Sequence, residues 1–223
     1  MKRTIVLAAF ALVAAAPVNW ANSVRQAPSG AMVRGNPAAK VKLVEYLSFS
    51  CPHCAAFVSE AKVPLTRDYV AKGTATVEVR NAVRDRYDFA AALLARCGGP
   101  ARFFGNADAL MAGQQSWMSQ AVAFDRANSE KMAKLPINDS LKLIVQGTGL
   151  ATIMKARGFT LAQINACLIS KSDQQKISAM TNEAWNGRKI AGTPAFLIND
   201  TLSTEPGTWA AIDTQLKTAL AAQ

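Results

Sequence analysis

Glu45-Tyr46-Leu47-Ser48-Phe49-Ser50-Cys51-Pro52-His53-Cys54 is the stretch on which the fold and chemistry of this chain turn. Residues 41–47, just upstream and overlapping it, are short, β-branched and aromatic, the pattern of a buried strand. Residues from Cys51 to Lys72 read as helical, with a break or kink at Pro64 and a stop at Gly73. The two cysteines therefore sit at the mouth of a helix directly after a strand. Two intervening residues let both sulfurs lie on the first turn, close enough to bridge. The unpaired N–H groups and positive dipole end of the helix favour a thiolate at Cys51. His53 adds a donor or a positive charge to the same sulfur. Pro52 lacks an N–H that the first turn would leave unpaired anyway.

Working outward, 74–79 alternates Val77 and Val79 with polar residues, so a second strand closes a βαβ unit. The chain then turns helical. Asp88 is placed to cap a helix with Phe89, Leu93 and Cys97 on its apolar face, ended by Gly98-Gly99. Pro100 suits a first helical turn, and Thr160/Gln163 and Ser172/Gln175 have capping-box spacing. Strand character returns at 195–199, with a turn at Asn199-Asp200, a partner at 201–204, and a final helix from about Thr208 to Ala221. The expected organisation is an α/β fold: βαβ at 40–86, a helical insertion at 87–189, and ββα at 190–223.

The N-terminus has the form of an export signal: Lys2 and Arg3, then an apolar run from Ile5 to Ala16 that is too short to span a bilayer. Residues 1–21 are expected to be removed, leaving an exported, soluble protein in which disulfides persist. Residues 22–39, with Pro28, Gly30, Gly35 and Pro37, read as an extended lead-in too short for dimerisation, so a monomer is expected. The 223 residues suffice for a sizeable core, and 50% hydrophobic content excludes a disordered chain. A formal charge of +10 suits anionic partners or solubility and leaves the fold open. Arg80, Arg84 and Arg86 read as a solvated basic face. Phe103, Phe104, Trp117 and Trp185 read as core of the helical part, and nucleic acid is not an expected partner.

With one His and four Cys, the chemical menu is short. A zinc site would need all four cysteines, and haem attachment would need His where Ala55 stands. A purely structural bridge closing so few residues constrains the unfolded chain little. A redox-active pair fits best, with no metal and no cofactor.

The stretch from Glu45 to Cys54, with its Cys-Pro-His-Cys, resembles the DsbA-like thiol:disulfide oxidoreductases of the thioredoxin superfamily. Gly192-Thr193-Pro194-Ala195-Phe196 is similar to the loop in which that superfamily carries a cis-proline. The resemblance covers nearly the whole chain after residue 21. It implies a thioredoxin fold with a large helical insertion between its βαβ and ββα halves. Cys51 would then attack and form mixed disulfides, and Cys54 would resolve them. Pro194 would face the pair, with Thr193 offering backbone groups to a substrate peptide. Glu45 would be a buried acid relaying a proton to or from Cys54, rather than an exposed strand-end carboxylate without a role. Thr193 departs from the Val of many such oxidases and leans toward the isomerase branch. Expected partners are cysteine-containing exported proteins and a DsbB-like or DsbD-like membrane redox protein. Oxidation of substrates is the expected direction; isomerase or reductase work and Cu(I) carriage are the alternatives. Cys97 and Cys167 are expected to form a structural disulfide in the helical part, the alternative being two buried thiols.

Overall fold

A computed structural model describes residues 18–223 of the chain. The expected export segment lies outside the described residues except at its C-terminal end. There Trp20 opens a short 3-10 turn, and its N–H donates to the Ala71 carbonyl at 3.2 Å.

The sheet is built around β3 (Val41–Leu47), buried at every position but Lys42. Such continuous burial belongs to a strand covered on both faces. Its side chains divide with period two. Leu43 and Leu47 enter the main core, while Val44 and Tyr46 enter a smaller cluster on the opposite face with Ala82, Ala184, Ile190 and Leu197. β3 runs parallel to β4 (Ala75–Asn81) and antiparallel to β5 (Ala195–Ile198). β5 turns through Asn199 and Asp200, both at positive φ (49° and 66°), into β6 (Thr201–Leu202). Positive φ at both central residues is the two-residue hairpin turn for which Asn and Asp are suited.

Residues 22–39 differ from the expected lead-in. They form an antiparallel hairpin of β1 (Val24–Gln26) and β2 (Met32–Arg34), and β2 pairs with β4. The six-stranded order is β1-β2-β4-β3-β5-β6. Three-residue strands carry too little alternation to be visible alone; pairing with β4 and burial of Ala31 and Met32 fix them.

Between β3 and β4 runs α1 (Pro52–Pro64), which passes without a stop into a wider π-helical turn at Leu65–Val70. Between β4 and β5 lie α2 (Arg86–Ala95), α3 (Pro100–Ala112), α4 (Gln114–Ala133), α5 (Ile137–Gly147), α6 (Leu150–Ala156), α7 (Leu161–Leu168) and α8 (Lys171–Asn182). α9 (Trp209–Ala221) follows β6 and is capped by Thr208. No described helix is long and apolar enough to cross a membrane.

Local signals were displaced in three places. Thr160 and Gln163 do form the capping box of α7, but α8 is capped by Ser170, not Ser172. Asp173 rather than Gln175 reaches back to that cap, and it also pairs with the buried Arg96 at 2.8 Å. α2 is capped by Asp85, whose side chain accepts from the N–H groups of Tyr87 and Asp88. α2 also ends before Cys97, which lies in the turn beyond it, bonded to Cys167 of α7. Phe103 and Trp117 are core, but Trp185 joins the second cluster, its indole N–H on the Val83 carbonyl at 3.2 Å. Arg84 and Arg86 are exposed as expected, whereas Arg80 is folded onto Glu78 at 2.7 Å and the Tyr46 ring.

Candidate active site

β3 ends by feeding Ser48-Phe49-Ser50 into Cys51, which has extended backbone and caps α1, with Pro52 in the first turn. The structure holds Cys51 and Cys54 as free thiols, both buried. The Thr193–Pro194 peptide bond is cis. The Thr193 carbonyl lies 3.0 Å from the Cys51 sulfur, which donates to it while protonated.

The two sulfurs are driven in opposite directions. A hydrogen bond from the Cys54 thiol, opposed by burial and aided by the Thr193 side chain and the N–H groups of Cys54 and His53, brings Cys51 from the ordinary 9.0 to about 4. Each of these donors satisfies the thiolate. The Thr193 carbonyl can only accept, so it favours the thiol and becomes a poor neighbour once Cys51 ionises. Cys54 is pushed far up, by burial first, then by its bond to Cys51 and by the charge of Glu45. One sulfur is thus a thiolate at neutral pH and the other a thiol.

Glu45 shares the α1 face of β3 with Leu43 and Leu47. It is 5% exposed, and its Oε1 has no hydrogen-bond partner among the described residues. It borders an apolar cavity with Phe57 and Val58, where Arg34 also sits and Lys62 pairs with Asp108 at 2.9 Å. Burial first, and Asp108 second, raise its carboxyl from 4.5 to about 8. A group poised there can hold or release a proton near neutral pH.

The His53 side chain is exposed and lines a groove with Glu60, Pro194 and Thr208; its main-chain N–H, rather than its ring, reaches Cys51. The site assembles Cys51 at the head of α1 and Pro52, His53 and Cys54 in its first turn with Thr193 and Pro194 from across the insertion, and Glu45 acts on Cys54 through its charge. Cys97 and Cys167 are bonded to each other instead.

Two anchors of the Cys51 turn escaped the sequence reading. Buried Gln114, at the start of α4, donates from Nε2 to the carbonyls of Phe49 at 2.7 Å and Cys51 at 2.9 Å. Nothing local marks it, because the contact spans more than sixty residues. Asp88, expected as a cap, is fully buried behind the turn. It accepts from Ser48 Oγ (2.7 Å), the Phe49 N–H (2.7 Å) and the Arg84 N–H (3.0 Å). Burial lifts its carboxyl to about 7 against the pull of those donors. Ser50 Oγ donates to Asp85 at 2.7 Å, so the carboxylates at the head of α2 hold the loop ahead of Cys51 by main chain and side chain.

The arrangement has clear relatives. A family model described as thioredoxin matches residues 28–218. The crystal structure of a protein-disulfide isomerase from Novosphingobium aromaticivorans is 33% identical, with a TM-score of 0.79, over 84% of this chain and 96% of that one. Wolbachia pipientis alpha-DsbA1 shares the fold at 18% identity, with a TM-score of 0.69, over 91% of this chain and 96% of that one. A relative from Rickettsia felis named as a protein-disulfide oxidoreductase is 30% identical over 169 residues, which are 75% of this chain and 52% of that protein. The chain thus spans about half the length of the curated relatives it matches. With its Cys-Pro-His-Cys turn, its cis-proline loop and the helices set between the two halves of its sheet, the chain shares the fold of alpha-DsbA1 and belongs to the thioredoxin family.

Proposed function

We propose that this protein is a periplasmic thiol–disulfide oxidoreductase that oxidises cysteine pairs in exported proteins. The observation that carries this is the asymmetry of the two sulfurs, with Cys51 at about 4 and Cys54 pushed far above the ordinary thiol. A substrate thiolate attacks the Cys51 sulfur of the Cys51–Cys54 disulfide. The S–S bond breaks and Cys54 leaves, taking up a proton for which Glu45 is the adjacent donor. A second substrate thiolate attacks the substrate sulfur of the mixed disulfide and expels Cys51. Two electrons pass from substrate to protein, and the departing Cys51 thiolate needs no proton. A low-pKa thiol leaves quickly, and stabilising it stabilises the reduced protein, so the disulfide is a stronger oxidant. A DsbB-like membrane partner would restore the disulfide, with the protein acting as a monomer.

The isomerase reading draws on the Novosphingobium protein's name and its 33% identity. In that case Cys51 works from the reduced state and a DsbD-like donor keeps it so. Alkylation trapping of Cys51 and Cys54 in cells separates the two. An oxidised pair at steady state supports the oxidase, and a reduced pair overturns it in favour of the isomerase.

A further inference from the structure

On the face of the sheet away from the cysteines, a buried tyrosine, a half-buried arginine and an exposed arginine converge on one half-exposed carboxylate. Tyr46, fully buried, donates its hydroxyl to Glu183 at 2.8–2.9 Å. Arg80 reaches the Tyr46 hydroxyl at 3.1 Å and Glu183 at 3.4 Å, and Arg188 reaches Glu183 at 3.0 Å. Glu183 thus takes one hydroxyl and two guanidinium groups, and hydrogen bonds to a charged acceptor are the strong kind.

This carboxylate stands at the start of the segment that leads to the cis-proline, and it holds Arg188 of that segment by its side chain. Glu183 opens a π-helical turn, Glu183–Gly187, a form that recurs at functional sites. The Arg188 N–H closes the turn on the Glu183 carbonyl at 2.7 Å, and the Ile190 N–H bonds Ala184 at 3.1 Å. Lys189 between them sits at φ 52°, a left-handed conformation uncommon for a non-glycine residue. Ile190 is buried in the same small cluster as Tyr46. Downstream, Tyr46 is also the cross-strand partner of Ala195, the residue after Pro194. The loop 191–194 therefore hangs between two attachments, and both meet at Tyr46.

We propose that Glu183 is a positioning residue for substrate binding: it fixes the loop upstream of Thr193 so that this residue's backbone is held ready for the substrate's cysteine segment. Bound to Tyr46 and Arg80, it makes the substrate-facing edge an extension of the sheet rather than a free loop. The proposal rests on the oxidoreductase reading above, and its test separates the two.

Glu183→Ala removes the shared acceptor. Hydrogen–deuterium exchange at the amides of 190–193 should speed up by at least about tenfold, with α1 unaffected. The KM for a peptide carrying two cysteines should rise about fivefold, with a smaller change in kcat. Glu183→Gln keeps an oxygen for Tyr46 and should restore KM to within about twofold of the parent. Unchanged exchange at 190–193 or an unchanged KM in folded Glu183→Ala overturns the proposal. So does a loss confined to kcat. Should Glu183→Ala fail to fold, Tyr46→Phe, which removes only the hydroxyl, must show the same exchange and KM changes or the proposal falls. A parent protein that does not turn over the peptide refutes the oxidoreductase reading, and the exchange result then decides the positioning role by itself.

Discussion

Cys54→Ala isolates the largest cause of the low Cys51 pKa, because the Cys54 thiol is the foremost donor to the Cys51 thiolate. A hydrogen bond to a charged group contributes roughly 1.5–3 kcal/mol, and 1.36 kcal/mol corresponds to one pKa unit. A thiol is a weak donor, which favours the lower end. From about 4, Cys51 in the variant should titrate between about 5 and 6. The helix N–H groups and the Thr193 side chain remain, so the value stays well below an ordinary thiol. The ultraviolet absorbance of the thiolate, followed against pH in the reduced protein, reads this directly. Thr193→Val removes the side-chain hydroxyl but keeps the accepting carbonyl, and should give a smaller rise. If Cys51 titrates alike in parent and Cys54→Ala, the N–H groups alone set the value, and the account of the sulfur pair is wrong.

Three further outcomes follow from the same structure. The folded pKa of Glu45 is raised from 4.5 to about 8, so its neutral form is the stable one, and it destabilises the fold progressively as pH rises between those values. Glu45→Gln should match the parent in denaturant unfolding at pH 4 and exceed it by a few kcal/mol at pH 8.5, and a constant difference across that range would refute the burial argument. Removing Cys97 and Cys167 together opens a bond spanning 70 residues and should cost up to about 4 kcal/mol in chemical denaturation, with turnover retained; lost turnover would contradict a purely structural role. Gln114→Ala leaves the buried carbonyls of Phe49 and Cys51 without their donor and should cost about 1–3 kcal/mol, read as a lower unfolding midpoint, together with a less uniform Cys51 titration.

The parts that were legible in the sequence are those whose physics is local. Cys51 to Cys54 occupy a strand-to-helix junction that the short β-branched and aromatic run before it and Pro52 within it both mark. Asn199-Asp200 carries its own turn chemistry, and the Thr160–Gln163 box appears where it was expected. Competition between equivalent local signals produced the shifts. Asp85 and Asp88 both suit the start of α2, and only the tertiary demand of Ser48 and Phe49 turns Asp88 inward and leaves the cap to Asp85. The same holds for Ser170 and Ser172, where the ion pair of Asp173 with Arg96 selects the first. Gln114 and the β1–β2 hairpin were invisible because what defines them is a partner far along the chain.

On the proposed reading, the paired cysteines form an oxidising couple because the reduced form is held as a Cys51 thiolate. That stabilisation grows as pH rises from about 4 toward the ordinary thiol range near 9, and it is lost below the lower value. Equilibration of the protein with glutathione redox buffers at pH 7 measures the potential of the Cys51–Cys54 couple directly. Thioredoxin lies near −270 mV and DsbA near −120 mV, and the couple here should be more oxidising than about −180 mV. A potential at or below about −250 mV would contradict it, because a thiolate held near 4 should favour the reduced form by well over the margin that separates thioredoxin from a free thiol.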